Sequence, residues 1–320
     1  MLHIVRKIVL AIIFLWVVCI YTAPYLPFEN IFLEGLIQYR PHLLVVCLGL
    51  SLILLFVTRA YLVLPFVCLL CLLGIWQSAT PYVAQAGEAC EAANASELRV
   101  MTYNVYHQNK EYADILGNIQ SVDPDIFILQ EMKSGFYRYA HKRLAKRYPF
   151  HFIELEQGTP QGIAFYSKYP IERAQMKKLT RINYILEAQI NMKGRLIDVV
   201  GVHAPSPRTA QRIADRNDLI KTLAVYLQGR EDLIVMGDFN SAPWQSDMRA
   251  FQEALSVKTI DLLGAMRIGG TWPAGYPHVI GVPIDHIYHK VNANNHMYYK
   301  GLGKSSDHYS LYANLILCNR

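Results

Sequence analysis

No charged residue occurs in residues 8–28, 41–58 or 60–87. Each run is close to the roughly 20 residues that cross a bilayer as a helix. The basic pair Arg6-Lys7 before the first run also fits a secretory signal peptide. Two more apolar runs argue against release as a soluble product, so three transmembrane helices are expected within residues 1–87. The second and third runs, 43–57 and 61–76, are parted by Thr58-Arg59-Ala60 and read as a tight helical hairpin. Positively charged flanks stay in the cytoplasm. Arg6, Lys7 and Arg59 therefore place the N-terminus and the hairpin turn inside, while Glu29 and Glu34 against Arg40 suit the outside. An odd number of spans predicts a multi-pass protein of the cell (inner) membrane. The bilayer is one partner, and the rest of the chain lies on the extracytoplasmic side.

After a small-residue linker at 88–97, residues 98–320 have the composition of one globular domain. From position 98 it carries 27 Lys and Arg against 20 Asp and Glu. That excess agrees with an anionic substrate or an acidic membrane surface and chooses neither. Cys19, Cys47, Cys68 and Cys71 lie in the apolar runs, where cysteine packs as a small hydrophobe. Cys90 and Cys318 flank the domain, and an oxidising compartment would permit a disulfide between them.

Within the domain, Leu233-Ile234-Val235-Met236 reads as a buried strand. Gly237 lets the backbone turn there, so Asp238 and Asn240 emerge on one side. The plan recurs along the chain. Strand 98–103 delivers Asn104, and a helical stripe of Ile115, Leu116, Ile119 and Val122 stops at Asp123-Pro124. Strand 125–130 then delivers Glu131, and a hairpin over 186–202, turning at Lys193-Gly194, delivers His203. Ile213, Ile220, Leu223 and Leu227 mark a core-facing helix. Asp285 opens a later strand, and Ser306-Asp307-His308 precedes a last one at 309–317. Strand 162–167 and a helix near 247–255 complete the reading. Four acids gathered at strand ends are costly without counter-charge. A hard divalent cation relieves that cost, and Mg²⁺ takes oxygen ligands with only one or two carboxylates. No thiolate set or helical histidine pair points to zinc.

The ordered set Thr102-Tyr103-Asn104, Leu129-Gln130-Glu131, His203, Gly237-Asp238-Phe239-Asn240, Ile284-Asp285-His286 and Ser306-Asp307-His308 resembles the endonuclease/exonuclease/phosphatase superfamily, in a membrane-anchored bacterial form. The resemblance covers 98–317 and implies a four-layer α/β sandwich, two packed mixed β-sheets flanked by helices, here preceded by the three transmembrane helices. In that fold the first and last strands lie close together, which would bring Cys90 toward Cys318. It also implies a Mg²⁺-dependent phosphoesterase, with Mn²⁺ as a substitute. Glu131 would be the principal metal ligand, with Asn104 nearby and Asp307 in support. Asp238 would orient or deprotonate the attacking water, and Asn240 would hold it or the phosphate. Asp285 would fix His308, which polarises the phosphoryl group or acts as base, and His203 would contact a phosphate oxygen or assist the leaving group. Nucleic acid and phospholipid headgroup both remain open as the phosphoester substrate. The rival is a non-catalytic membrane scaffold with a retired hydrolase domain, but none of the expected polar set is missing.

Overall fold

The computed structural model describes residues 2–26, 29–58, 63–80, 95–155, 162–257, 269–277, 280–291, 293–301 and 305–318. Four helices come first: α1 (Leu2–Thr22), α2 (Ile31–Gln38), α3 (Arg40–Thr58) and α4 (Val63–Ala79). The domain then runs β1 (Ala95–Asn104), α5 (Tyr112–Val122), β2 (Ile126–Met132), α6 (Ser134–Leu144), β3 (Phe150–Glu154) and β4 (Gly162–Ser167). It continues with β5 (Ile171–Lys178), β6 (Tyr184–Met192), β7 (Arg195–His203), α7 (Ala210–Tyr226) and β8 (Leu233–Asp238). Last come α8 (Ser246–Leu255), β9 (Asp285–His289), β10 (Ala293–Lys300) and β11 (Leu311–Cys318).

The strands form two mixed sheets, ordered β10-β11-β1-β2-β4-β3 and β5-β6-β7-β8-β9. Among the described residues only β1–β2 and β7–β8 pair in parallel, and a helix, α5 or α7, bridges each pair, as a parallel crossover demands. Alternation along β2 explains the layering. Ile126 and Ile128 face the second sheet, packing with Leu186, Val199, Ile234 and Met236. Phe127 and Leu129 point the other way, against Ile115 and Ile119 of α5 and Phe136 and Leu144 of α6. On the second sheet Val200, Val202 and Val235 meet Leu219 and Leu223 of α7 and Phe251 of α8. The order helix, sheet, sheet, helix follows from these two-sided strands.

The parallel pairs place the ends of β1, β2, β7 and β8 at one edge of the sandwich. His203 pairs with Asp238 across β7–β8, and Asp285 pairs with Asp238 across β8–β9. A bulge between Leu129 and Met132 interrupts the β2–β4 ladder at Glu131.

The N-terminal helices depart from the three expected spans. Among the described residues, by length and composition one helix, Lys7–Tyr25, passes alone, with a mean hydropathy of 2.3. A second passes only if α2 and the following helix to Leu55 count as one span bent by 72°. The bend has a local cause: Pro41 has no N–H and cannot extend α2. At 17 residues α4 falls short of the roughly 20 needed. The stretch between the first two apolar runs, whose charges suit the outside, forms α2, and Asn30 caps it by accepting from Phe32 N at 2.8 Å and Leu33 N at 3.3 Å. Val17, Ile20, Leu44, Val67 and Cys71 pack these helices together. Cys68 and Cys71 are free, as packing residues should be. Cys318 is disulfide-bonded, and Cys90 lies outside the described residues.

Candidate active site

Two backbone devices aim the site. Glu131 has φ 59° and Asn240 φ 50°, in the left-handed region that ordinary side chains avoid. Gly237 has φ 150°, and a Cβ there would overlap the Val202 carbonyl. Only glycine lets β8 lie that close to β7, and the close approach sets Asp238 beside His203.

The acids are bracketed by donors. Asn104 Nδ2 donates to Glu131 Oε1 and to Asp238 Oδ2, both at 3.1 Å. Its Oδ1 accepts from Tyr106 N, so here the residue ties two carboxylates together and does not aim its oxygen at a cation. Asn240 donates from its backbone N to Asp238 Oδ1 at 2.8 Å, and from Nδ2 to Asp238 Oδ2 and the Ala204 carbonyl, both at 3.0 Å. His308 Nδ1 meets Asp285 Oδ2 at 2.8 Å, while its Nε2 lies 3.8 Å from Asp238 Oδ2. Thr271 Oγ1 accepts from Asp285 N, and Ser306 Oγ accepts from His308 N while donating to the Asn104 carbonyl. His203 Nε2 sits 3.8 Å from Glu131 Oε1.

Burial sets the charge states. It works against Glu131, but His203, the His107 N–H groups and the Asn104 amide hold that carboxylate at about 2. His203 is itself pushed down to about 4 by burial and is uncharged at neutral pH, so the hydrogen bonds keep Glu131 ionised. Burial and then the Asp285 charge push Asp238 up to about 8, against the pull of His308. Burial also opposes charging His308, yet Asp285 and Asp238 outweigh it and push the imidazole up to about 10.

A cavity of about 700 Å³ opens over this cluster, lined by Glu131, His203, Asp238, Asn240, Asp307 and His308. All eight expected residues therefore meet at one edge: six line the cavity, Asn104 braces it from below and Asp285 from behind. The donors are hard oxygens. Asp285 Oδ1 and Asp307 Oδ1 are buried without a hydrogen-bond partner, which suits a divalent cation better than an empty pocket. Among the described residues, the acid and histidine groups spaced to share one cation are Asp238, Asp285 and His308. His308 is already committed to Asp285, however, and the ionised Glu131 lines the same cavity with a carboxylate that could hold a divalent cation. Trp272 also lines the cavity, while Tyr276 lies exposed.

A model of the endonuclease/exonuclease/phosphatase family matches residues 101–308, nearly two thirds of the chain and all eight of these site residues. The chain belongs to that family. It is by membership a metal-dependent phosphoric ester hydrolase. Solved structures agree on the fold. An endonuclease/exonuclease/phosphatase protein from Beutenbergia cavernae is 18% identical, with TM-score 0.58 over 70% of this chain and 72% of its own. D. rerio TDP2, solved with a single-strand DNA product, is 17% identical, with TM-score 0.54 over 69% and 99%. Staphylococcus aureus beta toxin, solved with bound magnesium ions, is 16% identical, with TM-score 0.53 over 68% and 99%. No curated protein sequence matches.

Sequence reasoning missed His107, whose backbone N and Nδ1 both bond Glu131 Oε2. Its one signal was its place three residues after Asn104. Thr271, in the aromatic and proline-rich stretch Thr271-Trp272-Pro273, was missed as well. Glu34, Gln38 and Arg216 were also missed, since Glu34 reads as a flank charge and its partner Arg216 stands 182 positions away.

Proposed function

We propose that this chain is a membrane-anchored, Mg²⁺-dependent phosphoesterase whose catalytic domain lies on the extracytoplasmic side of the cell membrane. The observation that carries the catalytic reading is the convergence of Glu131, Asp238, Asn240, Asp285 and His308 from four separate segments into one hydrogen-bonded cluster. Glu131, supported by Asp307, would hold the cation, which when bound supplies a Lewis acid for the phosphoryl oxygen. Asp238, raised toward neutrality, takes the proton of the attacking water. Asn240 fixes the carboxylate that does so, through its N–H and amide. His308, kept protonated by Asp285, places positive charge where the phosphoryl group gathers negative charge. Uncharged His203 is left to bond a phosphate oxygen or the leaving group.

The anchoring reading is supported by apolar side chains that no part of the described structure covers. Ile12, Leu15, Ile53, Leu72 and Trp76 are each more than half exposed on α1, α3 and α4. Ile31 and Phe32 of α2 are exposed too, and Ile31 reaches the cavity rim, which favours a phospholipid headgroup ester as substrate. Arg208 and Arg212 on the same rim favour a nucleic-acid backbone as the second reading.

The purified chain, assayed on sphingomyelin, phosphoinositide, nucleic-acid and simple phosphodiester substrates with Mg²⁺, should hydrolyse at least one and stop with chelator. A lipid substrate needs an interface and tolerates salt, whereas a nucleic acid loses affinity steeply with salt. Chelator-insensitive hydrolysis, or none on any substrate, defeats the reading. A C-terminal reporter active only in the cytoplasm defeats the orientation.

A further inference from the structure

Helix α2 ends where Pro41 leaves the Ile37 carbonyl without its helical donor. That carbonyl accepts instead from Trp244 Nε1 at 2.7 Å, 207 positions along the chain. The inward face of α2 meets the loop that carries Asn240. Glu34, only 6% exposed, accepts from Arg216 at 2.6 and 3.0 Å and from Gln245 Nε2 at 2.7 Å. Arg216 and Gln38 both donate to the Asn240 carbonyl, at 3.0 and 3.1 Å, and Gln38 Oε1 accepts from Ala242 N at 3.1 Å. Both lone pairs of that carbonyl are thus held, while the N–H of the same residue donates to Asp238. Ile31, Gly35 and Tyr39 of α2 line the cavity itself.

A buried ion pair adds little net stability, since desolvating two charges offsets most of their attraction. What the Glu34–Arg216 pair does provide is direction: it fixes a loop whose residue is strained at φ 50°. We propose that α2 is a working wall of the catalytic centre, with Glu34 and Gln38 as positioning residues that set Asn240 and, through it, Asp238. The apolar N-terminal segment then does more than tether the domain, because the site is incomplete without it. The inference rests on the hydrolase reading for its kinetic consequence and on the hydrogen bonds alone for its structural one.

The test uses the full chain in detergent, with Glu34→Ala and Gln38→Met. Gln38→Met leaves no unpaired buried charge and keeps the test open if Glu34→Ala fails to fold. Readouts are kcat and KM on bis(p-nitrophenyl) phosphate with Mg²⁺, and amide hydrogen exchange over residues 240–245. Expected results are a kcat lower by about 10- to 100-fold, as an ångström of misplacement gives, a KM within about twofold, and faster exchange at 240–245 with the sheets still protected. A wild-type kcat and unchanged exchange in Gln38→Met would overturn the proposal, as would a raised KM at constant kcat. If the wild type hydrolyses nothing, the hydrolase reading fails by itself. Exchange then decides alone: faster at 240–245 supports the clamp, unchanged overturns it.

Discussion

Gly237→Ala is the substitution for which the structure gives the clearest magnitude. An added Cβ would meet Val202 C and N at 2.8 Å and overlap its carbonyl oxygen outright, and φ 150° is itself adverse to a side chain. Those atoms belong to the backbone of β7, paired in parallel with β8, so no flexible side chain can yield. Relief requires the strand ends to part by about 1 Å, and a shift of that size at reacting groups costs about 100-fold in rate. At about 1.4 kcal/mol per factor of ten, that is close to 2.7 kcal/mol of transition-state stabilisation. The strain should also lower folding stability by about 1–3 kcal/mol. Gly194→Ala is the internal control: its φ of 95° is adverse too, but nothing lies within 4 Å of the added Cβ. It should lose stability by about 1–2 kcal/mol and keep its kcat. The assay is kcat on the best substrate alongside a denaturant midpoint for each variant. Wild-type kcat in Gly237→Ala would refute the argument that close β7–β8 approach aims Asp238.

Two further outcomes follow from the same cluster. Asp285→Asn removes the anion that most raises His308, leaving burial to lower it, so the alkaline limb of log kcat should move to lower pH; an unmoved limb would separate His308 from that limb. Glu131→Gln keeps shape and loses charge, and should weaken Mn²⁺ binding measured by calorimetry by at least about 100-fold, since even supporting residues of metal sites cost about 10- to 100-fold. Unchanged affinity would remove Glu131 as a ligand.

Strands buried on both faces were legible in the sequence, because short apolar runs such as Ile126–Leu129 and Leu233–Met236 are bounded by breakers, Asp123-Pro124 before one and Gly237 after the other. Edge strands were not. In β5, Glu172, Arg173, Lys177 and Lys178 sit on a sheet margin, where charge discourages pairing with another chain. It looks like a loop for that reason, and the polar β10 escaped notice in the same way. The polar residues at strand ends could be gathered because each directly follows, opens or precedes a legible strand. Helix α2 could not be read. Glu34 looked like a flank facing water, and Arg216 lay inside a helix taken as plain core. Each makes sense only beside the other, and they are 182 positions apart.

The register of β1 against β11 has a practical consequence. Ala95 lies opposite Cys318, while Asn104, nine residues along the same strand and about 30 Å away at the usual strand rise, sits under the cleft. Cargo attached where β11 ends, at Cys318, would therefore ride at the pole remote from the chemistry. Fluorescent or affinity labels at that end should neither crowd the entrance nor disturb turnover.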